Sequence, residues 1–268
     1  MLPFDNTQYS NTSPSEMRNL IRNEQWIYPT SGLCKSYVQG NMIILPKEWA
    51  FDFLLFAQRN PKACPILDVT EVGGHEPVNI APGADVRTDL PKYRIWENGV
   101  LIDEPMNVLD YWRDDLVTFI IGCSFSFETA LIESSIPIRH MECNCNAPMY
   151  ITNIECAPAG RFSGPMVVSM RPIKHDKVPR AVLCTGRFPS LHGAPVHIGE
   201  PGAIGIKNIQ EVDFGDTVEI RNGEVPVFWA CGVTPQTVLM KSKPPFAITH
   251  SPGHMFICDK KDSDYSIL

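Results

Sequence analysis

The chain has no apolar run long enough to span a membrane, and its polar N-terminal stretch, residues 5–15, lacks the hydrophobic centre of a secretory signal. It is short of positive charge: 23 Lys and Arg stand against 30 Asp and Glu, for a formal net charge of −7. That balance argues against a nucleic-acid-binding face or an anionic membrane partner, and a soluble, cytoplasmic protein is expected. The Gly- and Pro-rich run 186–205 holds neither the P-loop lysine nor the spaced glycines of a dinucleotide site, which disfavours a nucleotide ligand. No Cys-x-x-Cys occurs either. His140, Cys143, Cys145 and Cys156 form one grouping with metal-ligand types, but a Cys-x-Cys beside isolated partners is poor spacing for structural zinc, so no metal is expected. Cysteine itself is not scarce. The nine thiols are an odd number, and Cys123, Cys184, Cys231 and Cys258 sit inside apolar segments, which reads as reduced, buried cysteine.

What is present is α/β grammar. Residues 225–259 read as an apolar strand broken at Gly232, a helix with Thr234 as cap and Pro235 at its first position, a stop at Pro244-Pro245, a second strand, and a loop with His250 and His254. Such a βαβ unit would place both strand ends and the helix N-terminus on one rim, where backbone N–H groups favour an anion. Residues 115–140 repeat the order Gly122, Ser124, helix, Pro137, strand, His140. Duplication and ordinary α/β grammar both account for that match.

Other signals are local. Ser13, Pro14 and Glu16 form a capping box, residues 46–60 an amphipathic helix, and Asn98-Gly99 the type I′ turn of a hairpin over 93–104. Strands are expected at 41–45, 64–69, 149–154 and 165–172, and a helix at 178–185. The fold expected is therefore α/β. A mixed-sheet α/β/α outer domain, residues 1–140 plus 215–268, is built from two halves sharing one pattern. A smaller two-layer α/β subdomain, 141–214, is inserted, and no low-complexity linker marks either boundary.

The blocks YVQGNMIILP, DFLLFAQRNPKACPILDVTE, APGADVRTDLPKYR, LVTFIIGCSFSFE, SMRPI, RFPSLHGAPVHIG, VPVFWACGVTPQ and ITHSPGHMFICD, in that order, resemble the D-glutamate cyclase family along nearly the whole chain. The resemblance implies a two-part α/β fold and a hydro-lyase reaction in which D-glutamate loses water to give 5-oxo-D-proline.

Cyclising glutamate requires a grip on the α-carboxylate, a base for the amine, an acid for the departing oxygen and an oxyanion site. Backbone donors near Ser124, Ser126 and Thr234 suit one carboxylate, and Arg87, beside Thr88, suits the other. His250 and His254 are candidate base and acid because imidazole titrates near neutrality, and Glu128 is a second candidate acid if burial raises its pKa. His192 and His197 lie in the Gly-rich run, whose backbone is free to approach a ligand. The scheme needs no cofactor. Each residue also has a structural reading: strand-end histidines as hydrogen-bonded scaffold, Arg87 in a salt-bridge cluster with Asp85 and Asp89, the serines as helix caps. Rival functions are dehydration or lactam processing of another small acid, or non-catalytic carboxylate binding. The number of subunits stays open, a homo-oligomer included.

Overall fold

The computed structural model describes residues 6–267, apart from the Thr7 side chain. Asp5, where the polar N-terminal stretch starts, lies outside the described residues. Helix α1 (Pro14–Arg22) begins at the expected capping box: Ser13 accepts from the Glu16 amide while the Glu16 carboxylate accepts from the Ser13 amide. The strand β1 (Tyr37–Pro46) is buried along almost its whole length. Pro46 then leads into α2 (Lys47–Arg59). The strands β2 (Ile66–Val69), β3 (Tyr93–Glu97), β4 (Val100–Asp103) and β5 (Leu116–Gly122) follow. Asn98 and Gly99 have φ of 48° and 78°, the two positive values a type I′ turn requires.

The remaining elements are α3 (Glu128–Glu133), α4 (Arg139–Glu142), β6 (Met149–Glu155), β7 (Pro165–Lys174), α5 (Val178–Gly186), β8 (His197–Ile198), β9 (Glu224–Ala230), α6 (Thr234–Ser242), β10 (Ala247–His250) and β11 (Phe256–Lys261). They build two sheets. The larger has seven strands in the order β2-β5-β1-β10-β3-β4, with β11 also pairing β1; the smaller has the order β6-β7-β9-β8. The class is α/β, and the strand pairings in both sheets are antiparallel.

Alternation along β1 feeds two cores. Val38, Met42 and Ile44 face Val227 and Trp229 of β9, Leu131 of α3 and Ala181 of α5, so this face meets the second sheet. Ile43 and Leu45 face the opposite way, against Phe53 and Phe56 of α2 and Val238 and Leu239 of α6. Phe53 packs edge-on against Phe119 and Phe162, with ring centroids 5.0 and 5.5 Å apart. Each buried aromatic of this kind contributes about 1.5–3 kcal/mol by leaving water.

Three local expectations are corrected. Residues 225–249 are not a βαβ crossover within one sheet: β9 pairs β7 and β8, while β10 pairs β1 and β3, so α6 links the two sheets. An apolar strand is equally at home in either sheet, and the sequence carries no signal for the choice. Val233 rather than Thr234 occupies the cap position of α6, and the Thr234 hydroxyl instead bonds the Cys231 carbonyl and the Val167 amide. Residues 139–142 form the short helix α4 where the second copy of the pattern called for a strand. Arg139, tied to Glu142, Glu224 and the Glu219 carbonyl, holds that turn.

Candidate active site

The sheet junction encloses a buried charge cluster. Along β7, Ser169, Arg171 and Ile173 share one face, and Ile173 belongs to the core between the sheets. Arg171 is completely buried. Its Nε donates to Glu128 Oε1 at 2.9 Å and its Nη2 to the same oxygen at 2.5 Å. Nη1 donates to Ser169 Oγ and Nη2 to Ser124 Oγ, both at 3.1 Å. The guanidinium also lies 5.4 and 5.5 Å from the ring centres of Phe127 and Trp229. The second Glu128 oxygen accepts from Ser31 Oγ at 3.2 Å, and His140 Nε2 is 3.2 Å from both Glu128 Oε1 and Ser31 Oγ.

Glu128 is almost fully buried. Burial alone pushes its carboxyl up, but the charges of His140 and Arg171 and their hydrogen bonds outweigh that and hold it below the ordinary carboxylate range. The expected acid role required a raised pKa; the shift runs the other way, and the side chain is held as an anion.

A cavity of about 180 Å³ lies against this cluster. Glu128 and Gln39 line its polar side, and Leu33, Phe125 and Ile132 are among its apolar walls. Lys35 lies at its exposed rim, 3.6 Å from Glu133. Gln39 holds the covering segment in place: its Nε2 donates to the Thr30 and Leu33 carbonyls, and its backbone amide donates to Ser126 Oγ at 2.9 Å. Sites for drug-sized molecules start near about 300 Å³, so the space suits a smaller ligand.

The expected site residues divide. Glu128 and Ser124 belong to the cluster, and Ser126 supports it through Gln39. His250 and His254 do not line the cavity. His250 Nδ1 accepts from the Met42 amide at 3.1 Å, while its Nε2 is buried and has no hydrogen-bond partner among the described residues. His254 Nδ1 bonds the Pro252 carbonyl at 3.1 Å. Burial lowers His250 to about 3 and His254 to about 4, which removes both from the neutral range on which their acid and base roles rested. His192, also lowered to about 4 by burial, bonds the Lys62 carbonyl from a left-handed backbone with φ of 77°.

His197 Nε2 bonds the Glu200 carbonyl at 2.7 Å. Arg87 is paired with Asp85 at 2.7 Å, and Thr88 Oγ1 donates to Asp89 Oδ1, so the salt-bridge reading of that loop describes what the structure holds. Thr234 is bound up in the strand-to-helix turn already described.

Arg171, His140, Ser169, Ser31 and Gln39 were not singled out as site residues from sequence. A signal existed for Arg171: the SMRPI block sets a charge inside an apolar strand, and such a charge needs a buried partner. In the sequence His140 stands out as a metal-ligand type beside Cys143 and Cys145 and as the end of the repeated pattern. Its structural neighbours are Glu128, Ser31 and the Phe125 ring.

A family described as D-glutamate cyclase matches residues 117–259. A protein named "putative hydro-lyase" from Geobacillus kaustophilus is 60% identical over 96% of this chain and 97% of its own length. One of the same name from Thermoanaerobacter sp. is 64% identical over 95% and 96%. Another from Stutzerimonas stutzeri is 55% identical over 98% and 99%. Among solved structures, a nitrogen repressor-like protein from Methanococcus jannaschii aligns over 92% of this chain and 97% of its own, with a TM-score of 0.37 and 11% identity. That likeness is too distant to bear on activity.

Proposed function

The chain belongs to the D-glutamate cyclase family, and from that premise we propose that it is a hydro-lyase whose cavity beside Glu128 binds D-glutamate and closes it to 5-oxo-D-proline with release of water. The observation that carries the reading is the placement of charge. The cavity has a buried carboxylate at one side, an ammonium at its rim and apolar walls between. An amino acid with a side-chain carboxylate is the matching shape: its ammonium faces Glu128, a carboxylate faces Lys35, and its methylenes face the walls.

Ring closure needs the α-nitrogen lone pair. Glu128, kept ionised by Arg171, accepts a hydrogen bond from the substrate ammonium and is the group placed to take its proton. The nitrogen then attacks the γ-carbon and the N–C bond forms; the two protons that the nitrogen sheds, one of them by way of Glu128, pass to a γ-oxygen, the C–O bond breaks, and that oxygen leaves as water. The γ-carboxylate is a poor electrophile, so its charge must be offset as the bond forms. Lys35 and the hydroxyls of Ser36 and Thr129, all cavity-lining, are the groups available for that. Holding a five-membered closure in its reactive conformation removes much of the remaining entropic cost. Arg171, Ser124 and Ser169 act as positioning residues.

The test is NMR of the purified protein with D-glutamate, L-glutamate and 5-oxo-D-proline in separate tubes. The reading expects 5-oxoproline from the D-isomer. Line-broadening of D-glutamate without any product supports the carboxylate-binding alternative. Unchanged spectra in all tubes remove glutamate as the ligand.

A further inference from the structure

The cavity does not end at the substrate. A cleft of about 390 Å³ adjoins it, and Ser36 and Thr129 line both spaces. Water, the leaving group in the proposed cyclisation, occupies only about 30 Å³ and has no use for such a cleft. The far side is polar. Asp262 lines the cleft and is only 8% exposed. Ser266 Oγ, also in the lining residues, is buried and has no hydrogen-bond partner among the described residues. Glu133 stands at one side and Arg187 is a further lining residue.

We propose that this cleft is a leaving-group subsite and that the protein also cyclises γ-D-glutamyl amino acids, giving 5-oxo-D-proline and the free amino acid. This rests on the assignment of the neighbouring cavity to D-glutamate. The complementarity is chemical. A departing amino acid has an amine, which suits Asp262, Glu133 and Ser266, and a carboxylate, which suits Arg187. Burial, with Glu133 and Asp264 adding to it, pushes the Asp262 carboxyl up, against the lowering effects of the Ser263 amide and Lys261. The step balances without a co-reactant. The α-nitrogen attacks the γ-amide carbon, one N–C bond forms and the amide C–N bond breaks. The electron pair goes to the departing nitrogen; of the two protons the α-ammonium sheds, one completes the departing amine and the second protonates it. An amide carbon is also a better electrophile than a free carboxylate, so the same cluster faces a lower barrier.

The experiment gives full-length protein D-glutamate and γ-D-glutamylglycine in parallel and follows 5-oxo-D-proline and free glycine. Wild type is expected to release glycine. Asp262→Asn, whose side chain is isosteric, is expected to lower kcat/KM for the dipeptide by about tenfold or more while D-glutamate turnover stays within about twofold, the scale of one charge-assisted hydrogen bond. Ser266→Ala should act in the same direction with a smaller effect. Turnover of D-glutamate with no glycine release overturns the proposal and leaves the cavity reading standing. Equal losses on both substrates in Asp262→Asn also overturn it, because Asp262 would then serve the frame. No product from either substrate overturns the cavity assignment and this inference with it.

Discussion

Acidification should unfold this protein early, and three histidines set the size of the effect. His192, His250 and His254 are held neutral by burial at about 4, about 3 and about 4 in the folded chain. In the unfolded chain each returns to an ordinary value of about 6.5. Above that value neither state binds the proton, and the histidines favour neither. Between the unfolded and folded values only the unfolded chain is protonated, so stability falls as pH falls. From about pH 7 to about pH 5 the free-energy loss is about 2 kcal/mol per histidine, or about 6 kcal/mol for the three, with an uptake of nearly three protons on unfolding at the lower pH. That is of the order of the whole stability of a typical domain, about 5–15 kcal/mol. Glu128, Glu104 and Asp85 lie below their ordinary values and remain ionised over that range, so they do not share in the loss.

Urea unfolding at several pH values between these limits measures the slope directly. His250→Gln and His192→Gln should each remove about a third of it, whatever they do to stability at neutral pH. A loss under about 2 kcal/mol for wild type would refute the reasoning, because the imidazoles would then titrate in the native state.

Other outcomes follow from single contacts. Glu128→Gln leaves Arg171 buried without its counter-charge and should cost about 3–5 kcal/mol; the double variant with Arg171→Met should recover much of that in a thermodynamic cycle by denaturant melts. Gly232→Ala would place a methyl 2.0 Å from Asn41 Nδ2, which donates to the Gly122 carbonyl, so a loss of about 1–3 kcal/mol in thermal unfolding is expected, and none if Asn41 can move aside freely. Ser13→Ala removes the capping box of α1 and should cost about 1 kcal/mol by the same melts.

The parts of the fold that were legible are those fixed by neighbours in sequence. The Ser13–Glu16 box, the α2 amphipathic face and the Asn98-Gly99 turn each need only a few consecutive residues to declare themselves. Sheet membership was not legible, because the apolar run of β9 carries no mark of which sheet it joins. Only its pairing with β7, from Val168↔Ala230 to Lys174↔Glu224, settles it. The site followed the same division. Ser124, Ser126 and Glu128 stood out within one short motif, whereas Arg171 meets Glu128 across 43 residues. His250 and His254 stood out for their chemistry, but the burial that lowers their pKa values comes from packing that no local pattern records.

The central claim is that D-glutamate is cyclised at the Glu128–His140–Arg171 cluster and not at the loop histidines. The direct measurement is the rate of 5-oxo-D-proline formation by Glu128→Gln and by His250→Asn, each at a temperature where circular dichroism shows it folded. Glu128→Gln should lose about 100-fold or more in kcat, the usual scale for a removed proton-transfer group, and His250→Asn should stay within a few-fold of wild type. The opposite order, with Glu128→Gln near wild type and His250→Asn inactive, would contradict it.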